Sequence, residues 1–173
     1  MSIKSILTKG LLLVVLVVVL QHLMIVYLPN LIFMLAKHRS GKPLNTVIHA
    51  PKTDANLRRV VLPNPDFVYS ACFYDVGKTD LIITGTFADT TQYCSLSFYG
   101  SDVQPYHVIN NFQDSARSYN FRLSNSLSTE GDIQSPGRQG VVLMRILATD
   151  SVQRERALAC QQTFSVVTAA QSE

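Results

Sequence analysis

Apolar residues fall along this chain in two rhythms. From Gly10 to Leu28 they run almost unbroken, GLLLVVLVVVLQHLMIVYL, without a formal charge. Farther on they come in short β-branched and aromatic runs, cut by Gly, Pro, Asn and Asp. The first rhythm predicts a membrane helix and the second a set of strands.

About 20 residues at ~1.5 Å each span a ~30 Å hydrocarbon core. Lipid leaves the backbone no partner outside the segment, so even a Val-rich run closes its own helical hydrogen bonds there. Gln21 and His22 are the polar exceptions. Either they sit near an interface or against a neighbouring helix, or His22 serves a proton relay, for which the sequence shows no partner. Pro29-Asn30 then interrupts the run before Leu31–Ala36, a piece too short to cross again. It either extends the helix past a proline kink or lies in the interface, with Tyr27, Lys37, His38 and Arg39 at headgroup level. The run is longer than a secretory signal core of about 7–15 residues, and no clean small-x-small cleavage site follows. It reads as an uncleaved signal anchor, with Lys4 and Lys9 on one side and Lys37, Arg39 and Lys42 on the other, a balance that leaves the orientation open.

The chain therefore divides into a tail (1–9), a transmembrane helix with interfacial extension (10–36), a connector (37–57) and a β-rich domain (58–173). Gly41, Pro43, Asn45, Pro51 and Asp54 punctuate the connector. Arg58–Leu62 predicts a short first strand. After the turn Asn64-Pro65-Asp66 come strands at Phe67–Val76, Asp80–Phe87, Gln92–Tyr99 and Tyr106–Asn110, one starting about every dozen residues. That spacing suits a meander or a sandwich. Within the third of these, Tyr93, Ser95, Ser97 and Tyr99 alternate with Cys94, Leu96 and Phe98, which predicts one face in the core and one wetter. Tyr119–Leu123 is a further strand in a polar stretch, and Gly140–Leu147 reads as a buried one. Asp150 stands as the N-cap of a helix running to about Gln161, with Gln153 as its capping-box partner, and Thr163–Thr168 closes the series. The fold class expected is mainly β: an antiparallel sandwich-like domain with one C-terminal helix, behind a single transmembrane helix.

Charge narrows the function classes. The formal +3 of the 173-residue chain belongs to the membrane flanks; from Pro43 onward ten Lys/Arg face twelve Asp/Glu. A nucleic-acid partner requires a basic face that releases counterions, and none is present.

Several segments in order resemble a bacterial family known as domain of unknown function 1254, in its short membrane-anchored form. They are Asn45–Pro51 (NTVIHAP), Val60–Asp66 (VVLPNPD), Val68–Asp75 (VYSACFYD), Tyr93–Tyr99 (YCSLSFY), Ser135-Pro136 and Gly140–Leu143 (GVVL). Phe67 stands where longer members often carry Thr, and the polar stretch before Ser135 departs from the pattern. The resemblance implies a β-rich envelope domain on the periplasmic side of the bacterial inner membrane. Residues 10–36 are themselves expected to contact membrane lipid. Longer relatives carry a second domain, of unknown-function family 1214, and its absence here suggests a separately encoded partner.

Candidate chemistry is sparse. Asn64, Asp66, Tyr69 and Ser70 form one constellation: polar groups at a pocket mouth with Tyr69 stacking on a ligand, or a turn whose Asp caps its own backbone while Tyr69 packs. Arg145, alternating within an apolar strand, needs a carboxylate such as Asp66 or Asp75 if buried, and is otherwise a ligand group. Cys72, Cys94 and Cys160 show no CxxC and no His at zinc spacing, so no metal and no cofactor are expected. In an oxidising compartment one disulfide is expected, Cys72–Cys160 by preference because it ties the first long strand to the helix; free buried thiols are the alternative. No GxSxG elbow is present, and His49 and His107 lack an evident triad. The leading expectation is a non-enzymatic envelope module binding a partner protein or envelope component. The alternatives are an anchored periplasmic hydrolase with its site near Asp66 and Arg145, and an accessory subunit of a membrane complex.

Overall fold

The computed structural model describes residues 3–50, 64–87, 91–113, 117–126 and 131–169. Helix α1 (Ile3–Ser40) is a single element of 38 residues. At ~1.5 Å per residue it is about 57 Å long, and from Leu7 to Ser40 it is long and apolar enough to cross a membrane. It continues through Pro29, so Leu31–Ala36 prolongs the first apolar run instead of folding aside, and the helix overruns the expected 10–36 boundary at both ends.

The strands among the described residues are β1 (Thr46–His49), β2 (Phe67–Asp75), β3 (Asp80–Thr86), β4 (Cys94–Gly100), β5 (Pro105–Asn110), β6 (Ser118–Ser124), β7 (Ile133–Gln134), β8 (Gln139–Leu147) and β9 (Ser165–Ala169), with α2 (Ser151–Thr163) before the last. They make a five-stranded sheet, β1-β2-β8-β4-β5, and a four-stranded sheet, β7-β6-β3-β9. The chain passes repeatedly from one sheet to the other, so the architecture is a sandwich and not a meander. β7 runs parallel to β6, which makes the smaller sheet mixed.

β1 lies inside the stretch that composition marks as connector. Asn45 makes it possible: its backbone is left-handed (φ 60°), a conformation Asn tolerates. Its side chain accepts from Asp75 N at 2.8 Å and donates to Asp75 O at 3.2 Å. The start of β1 is thereby pinned to the end of β2. The short strand expected at Arg58–Leu62 lies outside the described residues.

Alternation along β2 and β8 sends Val68, Cys72, Tyr74, Val142, Met144 and Ile146 into the space between the sheets. There they meet Leu81, Ile83, Leu96, Phe98, Tyr119 and Leu123. Helix α2 packs against β2, β3 and β8 and contributes buried Ala157 and Cys160. Its N-cap is as read: Asp150 Oδ1 accepts from Gln153 N at 2.8 Å. The reciprocal bond slides back one residue, because Gln153 Oε1 accepts from Thr149 N and Thr149 Oγ1.

β4 corrects the expectation of a wet face. Ser95 and Ser97 are both fully buried, as are Cys94, Leu96 and Phe98. The outward positions of β2 and β8 explain why a dry face was possible here: Ala71, Phe73, Val141 and Leu143 are apolar, so both faces of the larger sheet carry hydrophobic surface.

Candidate functional site

The Asn64-Pro65-Asp66 corner is a turn. Asn64 Oδ1 accepts from Asp66 N (2.9 Å), Asn64 O accepts from Phe67 N (3.2 Å), and Tyr69 Oη accepts from Asn64 N (3.2 Å). Arg154 donates to Pro65 O at 2.8 Å and Ala148 N to Asp66 O at 2.6 Å, which ties the corner to the base of α2. Asn64 and Asp66 are exposed. Tyr69 and Arg145 are cross-strand partners on the outer face of the larger sheet.

Arg145 does not pair with the carboxylates expected for it. Its Nη2 donates to Ser97 Oγ at 3.2 Å, and its Nε is buried without a partner. Asp75 is taken by Arg138 at 2.8 Å, by Gln139 Nε2 and by Gly77 N. The physical reason is register: Asp75 stands opposite Gln139 at one end of β8, while Arg145 lies opposite Tyr69 toward the other end.

Ser70 points the opposite way, into the sandwich, where its Oγ lies 2.9 Å from His49 Nδ1. Sequence spacing concealed this pair, since β1 was not expected. Burial lowers the His49 pKa, which keeps the imidazole neutral near pH 7. Yet Ser70 is only 1% exposed, so a scissile carbonyl has no approach to its oxygen.

The cysteines are all free and buried. Burial pushes the Cys72 thiol up to about 12, so it is inert. The Cys160 thiol donates to Thr86 O at 2.9 Å and lies within hydrogen-bonding reach of Cys94. The expected Cys72–Cys160 bridge is not formed, and Cys94 is the thiol beside Cys160. Among the described residues no cluster of His, Cys, Asp or Glu has the make-up of a metal site.

A second buried polar cluster closes the opposite end of the sandwich. Tyr74 Oη lies 2.8 Å from Ser135 Oγ and 2.9 Å from Tyr106 Oη. Burial raises both phenol pKa values, so these hydroxyls remain protonated and serve as structural donors.

An apolar concavity lies where α1 crosses the outer face of the larger sheet. Phe33, 4% exposed, is the one fully buried side chain of α1 among those described; its ring meets Phe73 edge-on at 5.8 Å. One turn on, Lys37 Nζ donates to Gln139 Oε1 at 3.4 Å. Beside Phe33 is a cavity of about 390 Å³ with almost wholly apolar walls, formed by Ile32 and Ala36 from α1 and by Ala71, Tyr99, Val141 and Leu143 from the sheet. Outward-pointing apolar residues on β2 and β8 were the available sequence signal for it.

Asp75 anchors one corner of this junction through Arg138 and Gln139. Hydrogen bonds from Arg138 hold its carboxyl well below the usual carboxylate range, against the opposing effect of burial. A depressed folded-state pKa stabilises the fold above the unfolded value of about 3.9 and loses that contribution as pH falls. Thermal melts of wild type and Asp75→Asn are therefore expected to differ most above about pH 5 and to converge progressively below it. A gap that persists unchanged to pH 2 would contradict this.

The features together define a class: a two-sheet β sandwich closed by a short helix, with a long apolar helix laid against the outer face of its larger sheet. A family model described as protein of unknown function (DUF1254) matches residues 44–168, and the chain belongs to that family. Among solved structures, it is similar to the VPA0106 protein from Vibrio parahaemolyticus, with TM-score 0.63 and 14% identity over 82% of this chain and 35% of that one. It is also similar to an uncharacterized protein from Burkholderia cenocepacia, with TM-score 0.50 and 14% identity over 85% of this chain and 42% of that one. At such identities the likeness is one of fold, and the chain spans well under half of either relative. No curated protein sequence matches it.

Proposed function

We propose that the protein is a membrane-tethered binding module of the bacterial envelope, held by α1 in the inner membrane with its sandwich on the periplasmic side, and that it is not a hydrolase. The cavity between α1 and the larger sheet carries this reading. It is an apolar receptacle of about 390 Å³, within the usual range for ligand sites, but it lacks the convergent polar groups that catalysis requires. In the Ser70–His49 pair the serine is buried while His49 is half-buried, and the Asp66 corner is engaged as a turn, so neither offers a substrate an open nucleophile. The long apolar helix supports the membrane setting, and the origin of the two solved relatives supports a bacterial one.

The full chain in mild detergent, treated with a fluorophosphonate and with short-chain nitrophenyl esters, is expected to show no adduct on Ser70. Ester turnover should be no greater than that of Ser70→Ala. Labelling of Ser70, or turnover abolished by that substitution, would replace the module reading with a hydrolase.

A further inference from the structure

The cavity's surroundings identify what fills it. It shares Ile32 and Val103 with a second cleft, of about 320 Å³, walled by Met24, Ile25, Leu28 and Pro29 of α1 on one side and by Asp102 and Gln104 of the β4–β5 hairpin on the other. Those side chains belong to the helix surface that is exposed and apolar from Leu7 onward. A groove that opens along a membrane-crossing helix meets acyl chains at its mouth, not water.

Val103 adds an independent sign. It sits in the β4–β5 hairpin with φ 63°, a left-handed conformation that β-branched residues rarely adopt and that Gly or Asn would take with less strain. Strain of this kind persists where a site needs it. Here it sets an apolar side chain, 42% exposed, at the junction of the two clefts, where a turn residue would ordinarily be polar.

On the other side of Phe33 the lining changes to Asn30, Ser101, Arg138 and Gln139. Lys37 bonds to Gln139, and Arg138 is largely exposed beyond its contact with Asp75. Asp75 stands at this rim paired with Arg138, while Asp102 lies in the lining of the second cleft beside Val103. With Arg138 matched by Asp75, the rim offers Lys37 and the amides of Asn30 and Gln139 as donors, and an apolar slot beside it has the layout of a phospholipid: chain in the slot, phosphate at the rim.

We propose that the cavity holds one acyl chain of a glycerophospholipid, drawn partway out of the bilayer that α1 crosses. This rests on the binding-module reading and names its ligand class.

The test uses the full chain in phosphatidylcholine vesicles containing phosphatidylglycerol with a diazirine in its acyl chain. After photolysis, adducts are located by peptide mass spectrometry. Adducts are expected on the strand peptides bearing Ala71–Phe73 and Val141–Leu143, in addition to α1. Ala36→Phe, which plugs the slot, should lower the strand adducts at least fivefold and leave those on Gly10–Leu28 unchanged. Val103→Asn relieves the backbone strain, so it should melt no lower than wild type, yet it should lose at least half of the strand adducts. Labelling confined to α1, or strand labelling indifferent to both substitutions, would overturn the lipid assignment. That outcome would leave the module reading standing, since labelling of Ser70 or ester turnover lost in Ser70→Ala is what decides against it.

Discussion

Replacing Arg122 by methionine is expected to destabilise the β domain by about 3–5 kcal/mol, the cost of stripping one partner from a buried ion pair. Arg122 bonds Asp80 Oδ2 through both Nε (2.8 Å) and Nη2 (2.7 Å). Asp80 is 2% exposed, and its other oxygen is buried without a hydrogen bond. With Arg122 gone, the whole carboxylate would be left in the core with no compensating charge. Melting of the full chain in detergent should fall by roughly 10 °C, taking about 2–4 °C per kcal/mol for a chain of this size. Asp80→Leu added to Arg122→Met should recover most of the loss, because removing both members of such a pair is nearly neutral. A single substitution that leaves the melt within 2 °C of wild type would show that the pair does not hold β3 to β6.

Gly140→Val is the second change with a large expected effect, a loss of more than about 3 kcal/mol. Gly140 faces Tyr74 on β2 and Gly100 on β4, and a Cβ there would run into the Tyr99 carbonyl and the Tyr74 hydroxyl. The carbonyl is backbone and cannot yield. The hydroxyl cannot move without giving up its bonds to Ser135 and Tyr106 inside the sandwich. Gly137, around which a Cβ meets nothing, is the control: Gly137→Ala should stay within about 0.5 kcal/mol of wild type. Urea unfolding followed by circular dichroism distinguishes the two, and equal midpoints for both variants would refute the crowding argument.

What could be read from the chain was local. Strands β2 to β6 and β8, and the Asp150 cap of α2, depend on alternation and turn chemistry contained within a few residues. β1 escaped because four residues between Asn45 and Ala50 carry too little pattern, and its formation depends on Asn45 bonding a residue 30 positions away. The partition into two sheets escaped for the same reason: which strand pairs with which is settled by contacts distant in sequence. Ser95 and Ser97 looked wet because small hydroxyl residues usually are, but Arg145 folds over Ser97 from the neighbouring strand. The partner of Cys160 was misread because the direction from which α2 meets the core is tertiary information. Of the candidate site, Tyr69 and Arg145 do share a face, whereas Ser70 lies across the sheet from them. The cavity could not be placed while the course of Leu31–Ala36 past Pro29 was open between a continued helix and an interfacial segment, since its roof is made of residues beyond that proline.

Because α1 does not break at Pro29 and seats Phe33 on the sheet, the chain has no swivel between its buried stalk and its head until after Ser40. The head cannot roam at the end of a leash. In the membrane-tethered arrangement proposed above it would ride at a set height and tilt over the lipid and turn only as the stalk turns, so its encounters would be confined to a thin layer just above the bilayer. A companion resident in that same bilayer would meet the head again and again, while anything stationed deeper in the compartment would meet it scarcely at all.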